Sequence, residues 1–130
     1  MDLSLTTRTF GVDDQSWLGS EHGTQATESV TLDTSTFTAG THYPEGFFKS
    51  GIPLGKITAT GKYGPYNNAA ADGTEVLVGF LFAAVQAPTV NTVDPAGALF
   101  VHGKVREARL PLGAVDAAGK ADVAGRIRFI

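Results

Sequence analysis

The chain has 130 residues, 42% of them hydrophobic and 18% charged, with 10 basic against 13 acidic residues and a net charge of −3. One domain around one core is the expectation at this length, where roughly two thirds of the unfolded surface becomes buried. The lack of a basic excess removes the electrostatic footprint of a nucleic-acid binder, and the absence of cysteine excludes disulfides, thiolate metal sites and cysteine nucleophiles.

Residues Met1 to Ser29 read as an extended, polar N-terminal arm, and 30–130 as a single β-rich domain. Leu3, Leu5 and Thr7 alternate with Asp2, Ser4 and Thr6, and the larger apolar groups beyond them are Phe10, Trp17 and Leu18. So polar a segment cannot bury enough surface to fold alone. A lone Trp there reads as a binding anchor, because Trp is enriched in such anchors.

Ser29 to Phe37 alternates and is rich in β-branched residues, which predicts a strand. Thr38 to Phe48 holds Gly40, Pro44 and Gly46 and reads as a loop or pair of turns. Ile52 to Ala59 predicts a second strand, with Pro53 placing its first end at an edge or a start. Gly61 to Gly73 is a turn-rich insert in which Ala69 to Ala71 fit one helical turn, and Asp72–Gly73 is a strong turn signal.

Glu75 to Val85 is the longest apolar run, too apolar for a surface strand, with Gly79 marking a bulge or a close backbone approach. Ala87 to Gly97 is a loop. Ala98 to Leu110 reads as a hairpin of two short strands with Gly103 at its turn or in a bulge. A short helix is predicted around Val115 to Val123, and Arg126 to Ile130 alternate as a closing strand with Ile127 and Phe129 inward.

No catalytic apparatus is visible. Gly55, Gly61 and Lys62 superficially suggest a phosphate loop, but the spacing, the Tyr63 that follows and the strand-to-turn context are wrong. His22, His42 and His102 have no local metal-ligand spacing, and Asp13–Asp14 and Asp72 form no calcium loop. No Gly-x-Ser-x-Gly elbow occurs. No cofactor, metal or catalytic residue is therefore expected. No run reaches the about 18 apolar residues of a membrane span, and the N-terminus lacks a signal-peptide layout, so no membrane contact is expected either. Tyr63, Pro65 and Tyr66 would suit stacking on a sugar, though turn packing is the favoured use.

The order of these pieces resembles the phage head decoration protein family typified by bacteriophage lambda. Its carriers are Pro53–Leu54, the insert ending at Asp72–Gly73, the strand around Val78–Gly79–Phe80–Leu81, and Val123–Ala124–Gly125 before the alternating tail. The resemblance covers roughly Val30 to Ile130. It implies a small β-clip-like, mainly β domain with one or two short helices and an extended N-terminal arm. It also implies a homotrimer on the outer surface of the virion head, at or near three-fold positions, that cements the expanded lattice of the major capsid protein. On this reading Leu3, Leu5, Thr7, Phe10 and Trp17 are the arm residues that meet the capsid, by strand addition. Two alternatives are another virion module, such as a tail or baseplate β-domain, and a β-clip nucleotide hydrolase; the acidic and Ser/Gly-rich motifs of the hydrolase are not found.

Overall fold

The computed structural model describes residues 13–130. The chain is mainly β, with nine short strands and two short helices among these residues. In chain order they are β1 (Glu28–Thr31), α1 (Ala39–His42), β2 (Phe47–Phe48), β3 (Pro53–Lys56), β4 (Tyr63–Pro65), β5 (Gly79–Leu81), β6 (Val85–Gln86), β7 (Ala96–Phe100), β8 (Gly103–Val105), α2 (Ala117–Asp122) and β9 (Ile127–Phe129). Single 3-10 turns lie at Thr34–Thr36 and Glu107–Arg109.

A five-stranded antiparallel sheet in the order β1-β7-β5-β3-β4 forms the centre. Both of its faces are covered, and the register shows how. Phe80 pairs with Phe100 and Leu81 with Leu99, so the two-residue period of a strand sends the aromatic pair to one face and the leucine pair to the other. Phe80 and Phe100 join a core with Trp17, Leu77, Val105, Leu110, Val115, Val123 and Ile127. Leu81 and Leu99 join a second core with Val30, Leu32, Phe37, Phe48, Ile52 and Leu54. Two-sided burial explains why the β5 region reads as a continuous apolar run rather than an alternation.

That run is not one strand. Only Gly79–Leu81 stays in the central sheet; Val85–Gln86 leaves to pair with β2. On the other side Leu77 N–H donates to Asp122 Oδ2 at 2.9 Å, away from any ladder. Gly79 is a close backbone approach, as its position suggested, because a Cβ there would overlap the carbonyl of Phe100. Pro53 is the first residue of β3, a position at which strands tolerate proline. Asp72–Gly73 does turn the chain, with Gly73 at φ +113°.

Several expectations need correction. The strand expected over Ser29–Phe37 ends at Thr31, since Asp33 caps the following 3-10 turn through Ser35 N–H. The span Thr38–Phe48 contains α1 and β2 rather than loop alone. The insert after Gly61 contributes β4, an edge strand paired along Leu54–Lys56, while Asn67–Ala70 forms a turn and no helix.

β7 and β8 do not make a hairpin. β7 sits between β1 and β5 in the central sheet, whereas β8 pairs in parallel with β9. Gly103, at φ +139°, redirects the chain between them. The Arg126 guanidinium holds the junction by donating to Val78 O at 3.0 Å and Val101 O at 2.9 Å. The short helix predicted near the C-terminus is present as α2, capped by Asp116 through Gly119 N–H at 2.8 Å. The closing strand is also present, with Ile127 buried.

Candidate functional site

The arm residues Leu3, Leu5, Thr7 and Phe10 lie outside the described residues. The described residues begin at Asp13, and the first of them are tied to the domain. Asp13 Oδ1 accepts from Ala84 N–H at 3.1 Å, and Gln15 Nε2 donates to Phe82 O at 2.7 Å. Asp14 Oδ1 accepts from Ser16 N–H at 3.0 Å, and hydrogen bonding from Ser16 holds the Asp14 carboxyl below the usual carboxylate range.

Trp17 is not an exposed anchor. It is fully buried in the domain's own core, 5.7 Å from the Phe80 ring and 5.3 Å, edge to face, from Phe100. Its indole N–H donates to Ser50 Oγ at 2.9 Å, and Ser50 Oγ in turn donates to Phe82 O at 2.6 Å. Gly51, at φ +94°, leaves the space the indole fills: a Cβ there would lie 2.9 Å from its ring atoms. The physical reason for the correction is area. An aromatic ring of this size is stabilised more by a dry pocket with a hydrogen-bond partner than by a polar segment in water.

Residues 17–19 continue as a strip against β8. Leu18 bridges Val105, Arg106 N–H donates to Trp17 O at 2.6 Å, and Gly19 N–H donates to Lys104 O at 2.9 Å. The segment 15–28 therefore belongs to the domain, and β1 starts inside the span read as arm. A cleft beside Asp13–Trp17 is lined by Asp14, Glu45, Phe47, Lys49, Arg109 and Pro111, a mixed-charge surface.

The residues that suggested other chemistry have structural occupations. Gly55 lies in β3, where a Cβ would sit 2.6 Å from Thr74 Cα. Lys62 forms an ion pair with Asp94 at 2.6 Å, and Asp94 Oδ1 also accepts from Thr34 N–H at 3.1 Å. Tyr66 lies half-buried against α2, with its hydroxyl donating to Asp116 Oδ1 at 2.7 Å. Burial, helped by that carboxylate, pushes the phenol well above its ordinary range. Tyr63 stands in β4, partly buried against the second core.

His42 Nδ1 accepts from Thr38 N–H at 2.8 Å, and burial holds this imidazole below its usual range. His22 and His102 meet, Nε2 to Nδ1, at 2.7 Å. Sequence spacing could not reveal that meeting across 80 residues. The one local signal is that each histidine is followed by glycine. Among the described residues no group of three or more side chains is placed to hold a metal ion, and no helix is long and apolar enough to cross a membrane.

A sequence model of one protein family, described as bacteriophage lambda head decoration protein D, matches residues 12–126. No curated protein matches the chain. The family match takes in Asp13–Trp17, all five strands of the central sheet and both cores except Ile127, and it leaves Leu3, Leu5, Thr7 and Phe10 outside it.

Proposed function

The chain belongs to the bacteriophage lambda head decoration protein D family, and from that premise we propose that it is a trimeric cement protein of the capsid. Its partners are the major capsid protein and two further copies of itself. It binds the outer surface of the expanded head at or near three-fold positions and stabilises the lattice there. The family match over residues 12–126 carries this reading.

Two physical features support the finer parts. Charged residues are only 18% of the chain, below the roughly 25% of an ordinary soluble domain, and this leaves neutral surface for contacts between copies. Val90 and Val93, each more than half exposed in the loop after β6, are apolar groups such contacts would cover.

The arm is the capsid-binding element, through Leu3, Leu5, Thr7 and Phe10 in an extended, strand-adding contact. Trp17 supports it from inside. Tension on the arm passes to a ring locked in the core, so a bound arm is coupled to the whole domain. Three arms per trimer add avidity. A decoration protein that binds only the expanded lattice stabilises that lattice by mass action.

The test is deletion of Met1 to Gly11, which removes none of the described residues. The truncated chain should keep the full-length melting temperature yet no longer co-sediment with expanded heads. Full occupancy by the truncated chain would exclude the arm as the binding element.

A further inference from the structure

We propose that His22 and His102 form a binding site for a late first-row divalent metal ion, Cu²⁺ or Ni²⁺, which cross-links the segment before β1 to the junction between β7 and β8. The proposal is independent of the capsid reading.

The two imidazoles are held by an interlock of backbones. Gly23, at φ +82°, lies so close to His102 that a Cβ on it would overlap the His102 carbonyl. Gly103, at φ +139°, stands in the same relation to the carbonyl of His22. Each histidine is thus followed by a glycine that packs on the other histidine's carbonyl, and both glycines use backbone conformations that side chains disfavour. This crossing fixes the two rings with centroids 4.6 Å apart and His22 Nε2 2.7 Å from His102 Nδ1. Both side chains are exposed, so water can fill the remaining positions around an ion.

The geometry selects the ion. With imidazole–metal distances of about 2.0–2.1 Å, an N···N gap of 2.7 Å subtends about 80° at the metal. Opening the gap by about 0.2 Å gives the ~90° of neighbouring positions in a tetragonal or octahedral ion, whereas the ~109° of tetrahedral zinc needs about 0.6 Å. Cu²⁺ and Ni²⁺ suit the first geometry and stand high in the order of affinity for nitrogen ligands. Lys104, Arg126 and Arg128 line the same cleft. Their charge opposes any divalent cation alike, so binding rests on the two imidazoles, from which hard ions such as Mg²⁺ and Ca²⁺ gain little. Binding requires both rings neutral, with their protons on His22 Nδ1 and His102 Nε2; a neutral pair reaches that state by tautomer exchange, without net proton release.

The experiment uses the full, tag-free chain after chelator treatment. At 100 µM Ni²⁺ or Cu²⁺ its melting temperature should rise by about 3 °C or more, while Mg²⁺ leaves it unchanged. His22→Gln and His102→Gln should each abolish the rise. In the unaltered chain, substoichiometric Cu²⁺ should broaden the ring NMR signals of His22 and His102 before those of His42, a readout that does not depend on the variants folding. No rise in the unaltered chain, a rise that survives either substitution, or broadening of His42 alongside the pair overturns the proposal.

Discussion

The indole N–H of Trp17 donates to the Ser50 hydroxyl at 2.9 Å in a pocket walled by Phe80 and Phe100. The root of the N-terminal segment is thereby part of the larger aromatic core rather than an appendage. Trp17→Ala should cost about 3–5 kcal/mol through lost burial and a cavity. Ser50→Ala, which strands a buried N–H but empties little space, should cost about 1–3 kcal/mol. Urea denaturation of the two variants checks the order; an unchanged midpoint for Trp17→Ala would contradict the core placement.

Gly79 begins β5 beside β7, and a Cβ there would overlap Phe100 O. Gly79→Ala should destabilise by about 3 kcal/mol or fail to fold, because the neighbour is backbone inside a sheet buried on both faces. Gly40, in α1, has open space within 4 Å of where a Cβ would stand. Gly40→Ala should be neutral or stabilising by about 0.5–1 kcal/mol. Thermal melts of both variants check the contrast.

What the sequence could reveal follows from what is local. The strands at Pro53–Lys56 and Ile127–Phe129, helix α2 and the role of Gly79 were legible because alternation, capping and glycine are signals within a few residues. Trp17 was misread because what makes it core, Ser50, Phe80 and Phe100, lies 33 or more residues away. Separation in sequence also hid the meeting of His22 with His102, 80 residues apart, and the parallel pairing of β8 with β9. The β7–β8 hairpin failed for a related reason. A glycine between two short strands marks a change of direction but does not name the partner, and here Arg126 and β9 supply it.

Stability should fall on acidification in two stages. Burial holds His42 below the ordinary imidazole range, and its Nδ1 accepts a backbone bond that protonation would break. The unfolded chain then binds the proton more readily, so this contribution is complete above about pH 6.5 and is lost as pH falls through the lowered value. Hydrogen bonds hold Asp14, Asp72, Asp94 and Asp116 below the ordinary carboxylate range, from Ser16, Thr74, Lys62 and Tyr66 respectively. Their contribution is complete above about pH 3.9 and is lost as pH falls through their folded values.

The same Lys62–Asp94 bond raises the lysine, so that contribution is present below about pH 10.4 and is lost as pH rises through the raised value. Melting temperatures from pH 2 to 11 should show both acid steps and an alkaline decline. Asp94→Asn should shrink the lower acid step and the alkaline decline while sparing the His42 step. An unchanged profile would contradict the assignment.

The most direct measurement is a cryo-EM reconstruction of expanded phage heads carrying this protein. Trimeric density on the outer surface at or near the three-fold positions is the predicted result, with an extended segment running from each domain's Asp13–Trp17 root onto the major capsid protein. Bare heads, or density confined to the tail, would contradict the account.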